Sequence, residues 1–426
     1  VLYRNDSPQA QSTILFNVEN NTEPGSFDLK RVSAQSSGSV DEYILEDTRL
    51  KIPLDKPILP GCETKLILRF NLTVPEIVDG YWLGHLGYWG RSARQLNLGM
   101  WFPLVAAFDA EQGWLTPPAH WLGEPFVLRA ADFVVEIEVK NAPDTLRIAG
   151  PGKLSHPDDQ TWRFELAGGR EMALSLSSEF RVLSTLTSSG VNVELFYLPD
   201  ADAESLDTPR HALYTAADAL VLYEDLFGPY PHQRMVVVQG DFPDGMEFSG
   251  LVFVGDAWFK AWQGVPNDWL TLITAHEVAH QWWYALVGND QGLYPYLDEA
   301  LALYCEELFV EHYYPEYLEW WWGFRVNMYA PAGYVDTPIY DFYSPRSYID
   351  SVYLRGALML QALRDSMGDD VFLAWLHRYA DRMRGQIAYP RDFWGALPVD
   401  VYTQVQPILS NYLKRSDVLL HVDSIP

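Results

Sequence analysis

The sequence has little of three things that mark large classes of proteins: cysteine, long apolar runs and basic charge. Only Cys62 and Cys305 are present among 426 residues, so a disulfide framework is excluded and a single bridge stays open. No stretch reaches the run of about 18 apolar residues that a membrane span needs. With 30 Lys and Arg against 57 Asp and Glu, the formal net charge is −27. This charge excludes nucleic acid and anionic lipid as expected partners, because both would be repelled, whereas cationic substrates would be attracted.

The length and the patterning of the chain indicate two domains. From residue 11 to about 197 the sequence is a series of short alternating or β-branched segments separated by Gly, Pro, Asn and Asp, which is typical of an all-β sandwich. After a polar linker at 198–205 the spacing of apolar residues is mainly that of helices. The segments MVVVQ and LVFVG are predicted to form a small sheet in this region. We therefore predict an α+β multidomain protein with a sandwich domain over 1–201 and a mainly helical domain over 202–426.

The stretch HEVAHQWW, residues 276 to 283, places two histidines four residues apart at the end of a predicted helix over 268–286. Residues at this spacing project from one face of a helix, so His276 and His280 can share one ion. A catalytic zinc site takes three protein ligands. Glu299 follows after eighteen further residues, on a second predicted helix over 296–311, and an antiparallel return would bring it over the histidine pair. The alternative is a buried amphipathic helix whose histidines are hydrogen-bonded.

Glu277 lies directly after the first histidine and can reach a water on the metal without being a ligand. Zinc lowers the pKa of such a water to about 7, so a neighbouring carboxylate can take its proton and deliver hydroxide to a carbonyl. This pattern predicts a hydrolytic zinc site with Glu277 as the general base.

With these residues in place, the second domain resembles the M1 family of zinc aminopeptidases, which belong to the gluzincin group. The run YEDLFGPYPHQRMVVVQGDFP (223–243) is similar to the segment that precedes the family's active site, and VYLRGALMLQALRDSMGDDVF (352–372) is similar to its Tyr-x-x-Gly-Ala stretch. The segments LPGCETKLILRFNLTVP and WFPLVAAFDAEQGW look like the family's N-terminal β-sandwich. The resemblance implies a thermolysin-like catalytic domain with one Zn²⁺ per chain, held by His276, His280 and Glu299.

The resemblance also implies that Tyr353 places its phenol against the oxyanion of the tetrahedral intermediate. From the sequence alone, the alternative for Tyr353 is core packing, because it shares an apolar stripe with Ala357, Leu360 and Leu363 on a predicted helix over 346–365.

The family's Gly-Ala-Met-Glu-Asn signature corresponds here to Asp244, Gly245, Met246, Glu247 and Phe248. Met246 and Glu247 keep their places, while Gly245 stands where the family has Ala. The resemblance implies that this stretch binds substrate and that Glu247 pairs with the free α-ammonium group of a peptide. The alternative is a plain Pro-Asp-Gly turn with an exposed glutamate.

Two further expectations concern the ends of the chain. Many members of the family continue into a large helical C-terminal domain that closes the cavity, so we expect a more open active site here. The chain begins at Val1 rather than Met, which leads us to expect a removed upstream segment and an extracytoplasmic location.

The sequence as a whole predicts a zinc aminopeptidase acting on peptides with a free N-terminal amine. Two alternatives stay open: a zinc endopeptidase or other zinc hydrolase on the same scaffold, and a non-enzymatic binding protein that keeps the fold.

Overall fold

A computed structural model describes the fold of residues 1–34, 38–39, 42–77, 85–158, 160–199, 206–417 and 419. Within this part of the chain the two cysteines are apart and free, Cys62 exposed and Cys305 buried, so the open question of a bridge is answered. No helix in the same ranges has the length and apolar composition needed to cross a lipid bilayer.

The first half of the chain is built almost entirely from strands. They are β1 Leu2–Arg4, β2 Gln11–Asn17, β3 Phe27–Ala34, β4 Gly38–Ser39, β5 Ile44–Glu46, β6 Arg49–Ile58, β7 Glu63–Leu72, β8 Trp89–Arg91, β9 Leu96–Leu98, β10 Leu104–Val105, β11 Ala107–Asp109, β12 Gly113–Leu115, β13 Ala131–Glu138, β14 Arg147–Ala149, β15 Lys153–Asp158, β16 Thr161–Gly169, β17 Leu174–Ser177, β18 Arg181–Leu186 and β19 Asn192–Tyr197. A short helix, α1 His85–Tyr88, and a 3₁₀ turn, Glu19–Thr22, interrupt them.

Two four-stranded sheets, β1-β7-β3-β4 and β10-β2-β6-β5, share one apolar core. Strands β6 and β7 begin with alternating exposed and buried positions, as a sheet with one wet face requires. Residues such as Phe16, Ile52 and Leu66 fill the space between the sheets and are fully buried. A three-stranded sheet, β13-β16-β15, and a four-stranded sheet, β14-β17-β9-β8, follow. The predicted β-rich first region is therefore confirmed.

The second half contains the helices. In chain order the elements are α2 Asp207–Phe227, β20 Arg234–Gly240, β21 Gly245–Met246, β22 Leu251–Gly255, α3 Asp256–Ala261, α4 Trp269–Ala279, β23 Gly288–Asn289, α5 Glu299–Tyr313, α6 Leu318–Trp320, α7 Pro345–Tyr348, α8 Arg355–Met367, α9 Asp369–Met383, β24 Ile387–Ala388, α10 Pro390–Trp394 and α11 Tyr402–Tyr412. Two π-helical segments, Trp321–Val326 and Ile349–Leu354, and five 3₁₀ turns, Pro295–Leu297, Pro315–Tyr317, Asn327–Tyr329, Ile339–Asp341 and Val399–Val401, connect them. The predicted helical second region with a small sheet is confirmed.

A five-stranded sheet, β18-β19-β20-β22-β21, joins the two regions. Strand β19 runs parallel to β20, and β20 runs parallel to β22, with helix α2 packed against β18 and β19. The predicted boundary at 201/202 lies outside the described residues, and the division into 1–201 and 202–426 stays a prediction. Strands from both sides of that boundary belong to this one sheet.

Helix α4 ends at Ala279, seven residues earlier than the sequence predicts, and this expectation was wrong. The Nε and Nη2 groups of the buried Arg170 donate to the carbonyls of Tyr284, Ala285 and Leu286, at 2.7, 3.1 and 3.0 Å. These carbonyls lie where the helix was expected to continue, and a side chain from the β-rich region binds them instead. The apolar pattern of QWWYALV runs on past the end of the helix, because the turn that follows is buried as deeply as the helix itself.

Candidate active site and metal centre

The two histidines and Glu299 converge at the junction of α4 and α5. His276 lies in the last turn of α4 and His280 caps its end, so their Nε2 atoms face each other at 3.1 Å. Glu299 begins α5, and its Oε2 atom lies 3.3 Å from His276 Nε2 and 3.5 Å from His280 Nε2. All three side chains are buried. The structure thus brings together the three residues that the sequence predicts to hold a metal.

The far side of each imidazole is fixed by a buried carboxylate. Glu306 Oε1 lies 3.1 Å from His276 Nδ1, and Asp298 Oδ1 lies 2.6 Å from His280 Nδ1. Each carboxylate accepts a hydrogen bond from an Nδ1–H group, and this tautomer leaves the lone pair of each Nε2 pointing into the site. Two facing lone pairs cannot hydrogen-bond to each other, whereas a cation between them satisfies both.

Glu306 is itself held in place by a cation. The Arg325 guanidinium donates to both of its oxygens at 2.8 Å, and Trp321 Nε1 donates to Oε2 at 3.3 Å. Sequence reasoning missed Glu306 and Asp298. The signal for Glu306 was its spacing of seven residues from Glu299, which puts both carboxylates on one face of the helix.

The three side chains at this site are suitable ligands for zinc. The Oε2 atom of Glu299 is buried and has no hydrogen-bond partner among the described residues. Two imidazole nitrogens and one carboxylate oxygen are ligands that zinc prefers, and each has the outer partner that metal-binding histidines commonly show. Suitable atoms of His276, His280 and Glu299 all lie within 4.8 Å of one another.

Glu277 lies beside this group on the buried face of α4. Its Oε2 atom is buried without a hydrogen-bond partner among the described residues. Burial raises the pKa of the Glu277 carboxyl well above its usual range. Gly245 makes room for it, because a Cβ atom there would lie 2.1 Å from Glu277 Oε1. Gly245, which stands where the family has Ala, therefore contacts the predicted general base, Glu277.

Glu247 follows the edge strand β21 and is buried, with 5% of its surface exposed. This burial excludes the alternative of an exposed glutamate in a plain turn. Gln291 Nε2 donates to its Oε1 atom at 3.3 Å, and burial raises the pKa of the carboxyl to about 7. Met246, predicted to bind substrate, lies in an apolar cluster with Phe248 and Phe253. The substrate-binding roles of Gly245, Met246 and Glu247 stay predictions.

Glu124 brings a further carboxylate to the site from the β-rich region. Oxygens of Glu124, Glu247 and Glu299 lie within 4.8 Å of one another, and burial raises the pKa of Glu124 well above its usual range. Sequence reasoning missed this residue, because a Gly-Glu-Pro loop more than 150 positions before His276 carries no local signal of the contact.

Tyr353 lies in the π-helical segment Ile349–Leu354, inside what the sequence predicts as one regular helix. Its ring stacks on the His276 imidazole, with centroids 6.1 Å apart and planes 9° from parallel. Ala357, Leu360 and Leu363 of the same predicted stripe are buried in the core, whereas Tyr353 is only partly buried. Burial raises the pKa of the Tyr353 phenol well above 10, so it keeps its proton at neutral pH and can donate a hydrogen bond. Single π turns of this kind are frequent at functional sites.

Comparison with known proteins finds a family model that matches the region of these residues. Residues 211–412 match the sequence model described as the Peptidase family M1 domain. Endoplasmic reticulum aminopeptidase 1 of Mus musculus is 28% identical over 56% of this chain and 27% of its own length. Aminopeptidase N of Lactobacillus delbrueckii subsp. lactis is 30% identical over 56% of this chain and 30% of its own. The match spans less than a third of each of these two curated relatives.

A solved structure shares the fold of almost the whole chain. It is that of a mutant M1 zinc metallopeptidase from Deinococcus radiodurans bound to a Tyr-Ser-Ala substrate. The likeness has a TM-score of 0.62 at 18% identity and covers 98% of this chain and 88% of the other. At this identity the likeness speaks for the fold alone.

Proposed function

We propose that this protein is a zinc aminopeptidase that removes the N-terminal residue of peptides, because residues 211–412 match the Peptidase family M1 domain. The observation that carries the proposal is the convergence of His276, His280 and Glu299, with both Nε2 lone pairs turned to one point. Related proteins named aminopeptidases support the same reading.

One zinc ion per chain would be held by His276, His280 and Glu299. Zinc at such a site supplies a Lewis acid that polarises a carbonyl and acidifies water. The chain itself fixes the ligands before the metal arrives, because Glu306 and Asp298 hold the two imidazoles in one tautomer and orientation.

Glu277 is the general base in this proposal. Its carboxylate takes a proton from the attacking water and then donates it to the nitrogen of the departing peptide. The buried environment that raises its pKa favours proton uptake, and the packing of Gly245 against its oxygen limits the positions it can take.

Tyr353 donates a hydrogen bond to the oxygen on which negative charge develops. A phenol that stays protonated beside the reacting carbonyl stabilises the transition state more than the ground state. Its stacking on His276 ties its position to that of the ligands.

The carboxylates of Glu247 and Glu124 bind the α-ammonium group of the substrate. Two carboxylates desolvated together at short range favour a cation between them, and a peptide supplies one only at its N-terminus or on a basic side chain. Because the related Deinococcus enzyme binds Tyr-Ser-Ala, we extend the substrate class to short unblocked peptides here.

The test uses leucine p-nitroanilide and its N-acetylated form. Removal of metal with a chelator is expected to abolish cleavage of the free-amine substrate, and added zinc is expected to restore it with about one ion bound per chain. The acetylated substrate is expected to be refused, because it has no ammonium group. Equal cleavage of both substrates would favour the zinc endopeptidase alternative, and full activity after metal removal would rule out the zinc mechanism.

A further inference from the structure

One buried amide side chain connects the carboxylate of Glu247 to the partner of a predicted metal ligand. This side chain is Gln291, which is 4% exposed. Its Nε2 atom donates to Asp298 Oδ2 at 2.5 Å and to Glu247 Oε1 at 3.3 Å. The other oxygen of Asp298, Oδ1, lies 2.6 Å from Nδ1 of His280. A continuous series of hydrogen bonds therefore runs from His280 through Asp298 and Gln291 to Glu247.

An amide suits this position because of the number of hydrogens that it carries. A carboxylate accepts hydrogen bonds and donates none, so two buried carboxylates each need a donor. The NH₂ group of Gln291 has two hydrogens, one for Asp298 and one for Glu247. The Oε1 atom of Gln291 is buried without a partner among the described residues. This orientation leaves one neutral acceptor unsatisfied and supplies a donor to each of two carboxylates, whose loss would cost more.

The loop that carries Gln291 is held in place by its own hydrogen bonds. Asp290 Oδ1 accepts from the backbone N–H of Leu293 at 2.9 Å, and Asn289 Nδ2 donates to the carbonyl of Tyr294 at 3.1 Å. Strand β23, which precedes the loop, pairs with β24 in parallel. These bonds fix the backbone from which Gln291 reaches both carboxylates.

The backbone of Gln291 also lies beside the loop that carries Glu124. Its N–H donates to the carbonyl of Phe126 at 3.5 Å, two residues after Glu124. Glu124 and Glu247 are the two carboxylates that we propose bind the ammonium group of the substrate, and their oxygens lie within 4.8 Å of each other. Gln291 therefore contacts the side chain of one of them and the loop of the other.

We propose that Gln291 is a positioning residue that sets the place of the substrate's ammonium group relative to the metal ligands. It holds Glu247, and it is itself held by Asp298, whose other oxygen holds His280. In a peptide the first carbonyl carbon is bonded directly to the α-carbon that carries the ammonium group. The spacing between Glu247 and His280 therefore decides whether the first peptide bond is presented to Glu277. This inference rests on the proposed aminopeptidase function and adds the residue that sets this spacing.

The experiment compares two ligands that differ only in one amine, leucine hydroxamate and 4-methylpentanohydroxamate. Both carry the same metal-binding group, so the ratio of their dissociation constants measures what the ammonium group contributes to binding. Calorimetry with the zinc-loaded wild type is expected to show leucine hydroxamate binding at least about 10²-fold more tightly, as charge-assisted hydrogen bonds in a buried site would give.

The variant Gln291→Met keeps the length of the side chain and removes both hydrogens that it donates. We expect the ratio to fall by about tenfold, as the loss of an outer partner commonly costs, while the affinity for 4-methylpentanohydroxamate stays within about threefold of the wild type. A role in packing alone would change the two affinities equally. If Gln291→Met does not fold, Gln291→Asn gives the same test, because its amide is one carbon too short to reach both carboxylates.

The matched control is Gln239→Met. Gln239 lies on β20 and is also a buried glutamine whose Nε2 atom donates to a carboxylate, that of Asp256 at 2.6 Å. It is not part of the series that ends at His280, so we expect the ratio to stay as in the wild type. An unchanged ratio in Gln291→Met would overturn the inference, and so would an equal loss in Gln239→Met.

A failure of the aminopeptidase proposal gives a different result. If the zinc-loaded wild type does not cleave leucine p-nitroanilide, the proposed function is wrong, but calorimetry still tests Gln291 because binding needs no turnover. A preference for leucine hydroxamate that Gln291→Met reduces supports the inference. Equal binding of the two hydroxamates by the wild type overturns it.

Discussion

The candidate active site has a metal end with His276 and His280 and an acidic end with Glu247, and their buried polar groups differ in whether they have charged partners. At the metal end each imidazole has a carboxylate behind it, and Glu306 has Arg325 behind it in turn. At the acidic end, Glu247 forms no ion pair with a Lys or Arg among the described residues, and burial raises the pKa of its carboxyl to about 7.

This difference separates two uses of buried charge. A buried charge with a partner fixes geometry, because moving it would break a short hydrogen bond in a medium of low dielectric. A buried carboxylate without a cation is costly, and a bound cation relieves the cost. The metal end therefore suits ligands that must be held still, and the acidic end suits the ammonium group of the substrate that we propose.

The largest effect is expected from a substitution of Glu277, which we propose acts in catalysis and does not bind the metal. Glu277→Gln removes the proposed base and keeps its volume, and we expect kcat to fall by about 10³-fold, within the range typical of general bases. Zinc content should stay near one ion per chain, because Glu277 is not among the three proposed ligands. Measured together, metal content and turnover decide the assignment, and turnover close to that of the wild type would remove Glu277 from the mechanism.

A smaller effect is expected from the π-helical segment that carries Tyr353. Tyr353→Phe keeps the ring stacked on His276 but removes the hydroxyl, and we expect kcat to fall by about 10²-fold with a smaller change in KM. Steady-state kinetics on one aminoacyl anilide measures this split. Tyr379→Phe is the control, because Tyr379 is a buried tyrosine whose hydroxyl has no partner among the described residues. A loss of the same size in the control would mean that packing, not the hydroxyl, is responsible.

The smallest of the three effects is expected from Glu306, whose carboxylate lies behind His276 at the metal end. Glu306→Gln weakens the hold on His276 Nδ1, and we expect the affinity for zinc to fall by about tenfold or more, as for other outer partners of metal ligands. Competition with a coloured chelator measures this change. Glu307→Gln is the matched control on the same helix, because burial raises the pKa of Glu307 to about 8 and it contacts Arg364 rather than a ligand. Equal zinc affinity in Glu306→Gln and the wild type would contradict the account of the metal end.

Local patterns carried much of the prediction, and their failures have identifiable causes. The alternation in β6 and β7 predicts strands because a two-residue period leaves one face dry, and both strands are present. The end of α4 was predicted wrongly because apolar periodicity records burial, and the turn after His280 is buried as well. The π segment at Ile349–Leu354 was not predicted, since one additional residue in a helical turn leaves the apolar pattern almost unchanged.

The sequence by itself determined the β-rich and helical regions and the pair of histidines on one helix face, because these follow from periodicities within a few turns of chain. Together with the family resemblance it also predicted that Glu299 would return to the pair. Only the tertiary structure decided that Glu124 lies close to Glu247 and that Arg170 binds the carbonyls after α4. These contacts join positions more than 100 residues apart, and their free energy comes from burial in a shared core, which no local spacing records.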